Sequence, residues 1–549
     1  MIKASCQQFK EVLVSGLRWH TFLEDDFMLM LKRWLVRITL LALCFGFGRG
    51  VAQEQDDLVQ FWKYPKLTAK KPFQRWWWLY QQRAYPAAYV PERAIVLAME
   101  QMREYELSMA RTGETIQGEI WQSVGPAPIL GGQIGRTSGT RPMSGRVIEI
   151  ADDPGNLNRW LIGGAQGGIW ETRDAGSTWK PLTDDQAALA VGAITFAPSN
   201  PNIIYAGTGT AVFSVTSYAG AGVLKSLDGG ASWQLLASST FTRTSFSEIR
   251  VHPTNPNMVL AATTRGVAGR SRQTASPAPS TGLFRSTNGG VSWTEILEGE
   301  ATDLEVDPTN FNNQYAALGD IFGDESNGVY RSTNAGGTWR LINGPWSNLS
   351  EGVGRVEMAI APSNPNVLYV SIQDAINNVG ADGGILGLWR TNNAWAASPT
   401  WTQIPLEPTD NGTGDHGYCG WDLAFRSDSD QCWFSHEVAV DPNDPNIFYG
   451  GGIPLWKFDG ATWTEVSKSA SDPRNGIHVD QHALVWAGNR LVVGNDGGVW
   501  STTDGGNTWA DHNTNLALTQ FYEGSLHPGN SDLLLGGSQD NGTEMWTGS

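Results

Sequence analysis

The sequence predicts an all-β fold, a β-propeller of seven or eight four-stranded blades preceded by a short helical extension. Two recurring patterns predict it. In the first, a hydroxyl residue, an Asp or Asn, a Gly and a Trp repeat at fixed offsets. The copies are Thr172/Asp174/Gly176/Trp179, Ser226/Asp228/Gly230/Trp233, Ser286/Asn288/Gly290/Trp293, Ser332/Asn334/Gly336/Trp339 and Thr502/Asp504/Gly506/Trp509. In the second, a Pro- and Asn-rich turn joins two short apolar runs, as in Phe196-Ala-Pro198-Ser-Asn-Pro201 and Val251-His-Pro253-Thr-Asn-Pro256. Asp or Asn beside Gly is hairpin chemistry, because the short side chain bonds nearby amides and Gly accepts positive φ. The unit is therefore strand, Pro/Asn turn, strand, loop, strand, Asp/Gly turn, strand.

Residues 28–53 read as a secretory signal: Lys32, Arg33 and Arg37, then an apolar run from Ile38 to Phe47, then Gly50-Val51-Ala52 as a cleavage site. The presequence is set at 1–53, with translation starting at Met28 or Met30. The run is short for a membrane span, which takes about 20 apolar residues. Residues 54–115 form the helical extension, with apolar residues at helical spacing after Pro91. Residues 116–549 carry the propeller. Trp121 reads as an orphan fourth strand that could pair with the unit starting at His527-Pro528 and close the ring, which removes exposed sheet edges.

Among 549 residues, 64 Gly and 25 Trp with only 17% charged residues describe a turn-rich globular chain. A net charge of −17 lacks the basic face that nucleic acid requires, so the expected partner is a glycan or an extracellular protein. Cys419 and Cys432 are the cysteines beyond the presequence and extension, and an even pair in an exported chain predicts a disulfide across a Gly/Asp-rich insertion. Structural tether and stiffener of a ligand-binding loop both remain open for it.

The Asp and Asn residues of the repeated turns (Asp174, Asp228, Asn288, Asn334, Asp504) are read as structural, because a catalytic group is normally unique and these recur in every copy. Polar residues just ahead of apolar strands are better candidates for a site at the axis. Arg146, Arg355, His436, His478, His482 and Tyr522 are the binding candidates, and Glu437, Asp480, Asp496 and Asp540 the catalytic ones. His478, Asp480 and His482 alternate, which on a strand would put all three on one face. That arrangement suits a metal, a held carboxylate or a hydrogen-bond network lining the channel; no metal or cofactor is assigned.

The hydroxyl-x-Asp-x-Gly-x-x-Trp element resembles the Asp-box of sialidases, xyloglucan-specific endoglucanases and the sortilin N-terminal propeller. Further segments are similar to those of large secreted bacterial proteins described as glycosyl hydrolase or sortilin N-terminal-like: Gly164-Ala-Gln-Gly-Gly168-Ile-Trp170, His478-Val-Asp480-Gln-His482, Gly494-Asn-Asp496-Gly-Gly498 and Gln539-Asp540-Asn-Gly-Thr543. The resemblance implies an exported or cell-surface propeller that binds a carbohydrate or protein, or alternatively a glycoside hydrolase acting on an extracellular polysaccharide. Ala165 lies in the stretch where the xyloglucanase pattern has an Asp, and the chain lacks the sialidase arginine segment.

Overall fold

The computed structural model describes residue 78, the helix 94–112, and residues 123–548 apart from 135–136, 139–140, 214–216, 266–278, 377–382, 407–417, 421–429 and 468–475. The presequence, Trp121 and most of the extension lie outside the described residues. Within the extension, the expected helix runs Ala94–Thr112.

Among the described residues, seven four-stranded antiparallel sheets follow one another, and each is built from consecutive strands. They are blade 1 (147–181), blade 2 (191–236), blade 3 (245–298), blade 4 (301–341), blade 5 (353–404), blade 6 (437–465) and blade 7 (481–511). The first strand of each is innermost and packs beside the first strand of the next, and Gln481–Ala487 of blade 7 packs beside Val147–Asp153 of blade 1. One apolar cluster crosses that last joint, holding Val147, Ile150 and Ile162 with Ala483, Val492 and Val499. The ring is thus complete at seven blades.

The His527-Pro528 unit stands outside this ring, and Trp121, its expected partner, lies outside the described residues. Phe521–His527, Asn530–Ser538 and Gly542–Trp546 form a separate three-stranded sheet. Blade 7 already occupies the position beside blade 1, so no gap is left for an eighth member.

The repeated turns show why the motif has its spacing. In blade 1 the Thr172 hydroxyl donates to Asp174 Oδ1 (2.8 Å) and accepts from the Gly176 amide (2.9 Å), while Asp174 Oδ1 accepts from the Thr178 amide at 2.8 Å. Ser226, Asp228, Gly230 and Ser232 repeat the pattern in blade 2. Gly230 holds φ at 91°, a left-handed value that disfavours a side chain. Each motif Trp then packs against the preceding blade. Trp233 joins a cluster with Leu161 and Ile169 of blade 1, and Trp339 one with Leu260 and Leu283 of blade 3. At the closing joint Trp179 donates to the His512 carbonyl at 2.6 Å.

Candidate functional site

Side chains of the inner strands alternate, and one of their faces looks into the central channel. Three strands carry charged residues two apart: Glu248 and Arg250, Asp303 and Glu305, Arg355 and Glu357. Arg250 pairs with Glu248 and reaches Glu305 at 3.4 Å. Arg355 holds Glu357 at 2.6 Å and Glu437 at 3.3 Å. Burial, reinforced by neighbouring carboxylates, pushes Glu248 up to about 7 and Glu305 up to about 8. Asp303 rises to about 6 through burial. Arg355 and Glu437 are among the sequence candidates; Arg250, Glu305 and Glu357 are not, although charge at i and i+2 on an apolar strand is the signal that finds them.

A second cluster lies where blade 7 meets the three-stranded sheet, and it gathers three of the quoted motifs. Asp480, Asp496 and Asp540 each present a carboxylate oxygen within 4.8 Å of the others. The expectation that His478, Asp480 and His482 share one strand face is wrong. The strand begins at Gln481, and Asp480 has φ of 65°, so the chain turns before the strand starts. His478 instead lies in that turn, with Nδ1 2.9 Å from the Val479 carbonyl and Nε2 3.3 Å from the Asp540 carbonyl. A Cβ on Gly497 would come within 2.5 Å of the His478 side chain, which accounts for the glycine after Asp496.

His482 Nε2 lies 2.8 Å from Asp496 Oδ1, and Arg146 Nε lies 3.8 Å from the same oxygen. Burial works to raise Asp496, but Arg146 and the His482 hydrogen bond outweigh it and hold the carboxyl below its ordinary range. Asp480 is pushed well up by burial and by the charges of Asp496 and Asp540. Asp540 is pushed up to about 6 by burial and by Asp496. Burial depresses the His482 imidazole.

The Cys419–Cys432 disulfide forms as expected, with Cα atoms 5.1 Å apart. It anchors a turn that supplies two residues to this cluster: Gln431 donates to Asp480, and Phe434 packs under both Arg146 (5.2 Å) and His482 (4.8 Å). His436 is not part of it. Its Nε2 lies 2.7 Å from the Ser371 hydroxyl in a buried pair, and burial with Arg355 nearby drives its pKa well down. Tyr522 is on the strand Phe521–His527, half-buried.

Arg146 also donates to Gln520 at 3.0 Å, and both border a cavity of about 410 Å³ whose wall includes Gln166, Trp170, Asp184 and Leu518. Glycosidases set two carboxyl groups about 5–9.5 Å apart across a cleft, whereas this trio converges with oxygens within 4.8 Å of one another. Asp496 is also fully buried. Among the described residues no helix is long and apolar enough to cross a membrane.

No family model matches the sequence. A xyloglucanase of a Paenibacillus species is 24% identical over 369 residues, covering 62% of this chain and 29% of that relative. Two solved structures share the propeller fold: a GH74 enzyme of Niastella koreensis (19% identity, TM-score 0.51, 78% of this chain and 60% of that one) and a GH74 xyloglucanase of Xanthomonas campestris (16%, 0.50, 73% and 59%). The chain therefore spans less than two thirds of the length of these relatives, and under a third of the Paenibacillus one.

Proposed function

We propose that this chain is an exported, glycan-directed propeller whose ligand is an extracellular polysaccharide of the xyloglucan kind. The observation that carries this reading is the cavity beside Arg146. An indole, a guanidinium, two carboxamides and a carboxylate share its wall, and sugars need that mixture of apolar face and hydrogen-bonding groups. The likeness in sequence to a xyloglucanase supports the choice of glycan, and the disulfide supports an oxidising destination.

Hydrolysis is a second reading, favoured by the same likeness. Hydrolysis takes a pair of carboxyl groups, and Asp184 on the cavity wall is the one of that pair it would use there. Calorimetric titration with xyloglucan oligosaccharides tests the first reading: binding should weaken at least about tenfold in Gln166→Ala and Asp184→Ala with melting unchanged, a loss of about 1.4 kcal/mol. No heat with any oligosaccharide of a plant-glucan panel would refute it. Reducing-sugar release that disappears in Asp184→Asn would establish hydrolysis.

A further inference from the structure

The trio of Asp480, Asp496 and Asp540 poses a problem that the glycan reading does not use. Their carboxylates converge within 4.8 Å, and among the described residues the guanidinium beside them is that of Arg146. Asp496 Oδ2 is fully buried, and among the described residues no N–H or hydroxyl group donates to it. A second orphan lies at the same place. Gln539 is 8% exposed; its amide nitrogen donates to Asp540, while its oxygen Oε1 has no partner. Buried acceptors left without donors are costly and call for an electrophile in the structure.

We infer that Asp480, Asp496 and Asp540 hold a hard divalent cation of the calcium type, which fastens the three-stranded sheet to blade 7. Oxygens bound to one calcium at about 2.4 Å stand at most about 4.8 Å apart, and the three carboxylates meet that bound. The donors are all oxygen, because His482 is committed to Asp496 and His478 to main-chain carbonyls. Oxygen-only sets suit calcium or magnesium over zinc. Two of the three ligands flank blade 7's inner hairpin and the third comes from the turn Gln539–Asn541. Asn541 already donates to the Asp496 carbonyl at 2.9 Å, so the two elements are in register for a shared ion.

The test uses terbium luminescence, sensitised by tryptophan, and thermal melting of the full chain in EDTA or millimolar calcium. Terbium should bind and be displaced by calcium, and calcium should raise Tm by about 2 °C or more. Asp540→Asn removes a ligand and also relieves repulsion, so in EDTA it should melt no lower than wild type yet lose the calcium response. Glu305→Gln, in the channel, should keep that response and so separates the trio from general attraction to acid groups. Absence of any calcium or terbium effect on wild type would sink the inference, as would a full response in both Asp540→Asn and Asp496→Asn. Glycan titrations in EDTA report separately on the polysaccharide reading.

Discussion

The Phe434 ring stands edge-on to the His482 imidazole, with centroids 4.8 Å apart and planes at 81°. Through this contact the disulfide turn supports the histidine that holds Asp496. The Phe434 carbonyl also accepts from Arg355 at 3.2 Å, so one residue touches both the channel network and the carboxylate trio. Phe434→Ala should cost about 3–5 kcal/mol, as for other buried aromatic truncations. Phe434→Leu should recover much of that stability without the ring contact. Urea unfolding of the two variants measures the difference; equal stability of Ala and wild type would show that the ring bears no weight.

Digestion without reductant should yield a peptide linking Cys419 to Cys432, and mass spectrometry reads it directly. Replacing both by Ser should lower stability by about 2–5 kcal/mol, the usual range for a native disulfide. Because the turn carries Gln431 and Phe434, the double variant should also weaken calcium binding. Two freely alkylated thiols in exported protein would contradict the bond.

Gly230→Ala should destabilise by about 1–3 kcal/mol. The residue sits at φ of 91°, and a Cβ there would approach the side chain of Leu182, the residue just after blade 1, to 2.9 Å. The cost is therefore paired: strain in the turn and crowding across the joint. Gly337→Ala, at a glycine without positive φ, should cost less. Chemical denaturation curves for the two variants decide it.

Stability should fall as pH rises from about 5 to 8. Glu248 and Glu305 are raised to about 7 and about 8, so the folded state retains protons that the unfolded chain has released. Their contribution is fully present below the unfolded carboxylate range and is lost through the folded values. Asp228 runs the other way: Ser232 and Ser226 hold it at about 2, so its contribution is lost as pH falls from about 4 toward 2. Glu305→Gln should flatten the neutral limb of a melting-temperature profile and leave the acid limb alone. A profile that rises steadily to pH 8 in wild type would contradict this account.

The blades were legible because their signals are local. Thr172 and Asp174 find their partners within four residues, and such chemistry is written in any short window of sequence. The trio was legible only as three separate motifs. Asp480 and Asp540 meet across a separation that no spacing rule covers, and strand alternation misled at His478 because Asp480 takes a left-handed conformation. The cavity was less legible still, since Arg146 and Gln520 approach only when blade 7 reaches blade 1.

The manner in which that ring closes has a consequence for how the chain tolerates being re-cut. Every blade is contiguous in sequence, and the joint between blades 7 and 1 is held by packing and by bonds such as Trp179 to His512 and Arg141 to Trp509. Among the described residues no strand is lent across it. In order of assembly, the joint between blades 7 and 1 is then equivalent to the six joints within the series. A circular permutant opened in the turn between blades 3 and 4 should build the same seven-fold circle from a different starting point, because no blade depends on a distant end of the polypeptide to supply its edge.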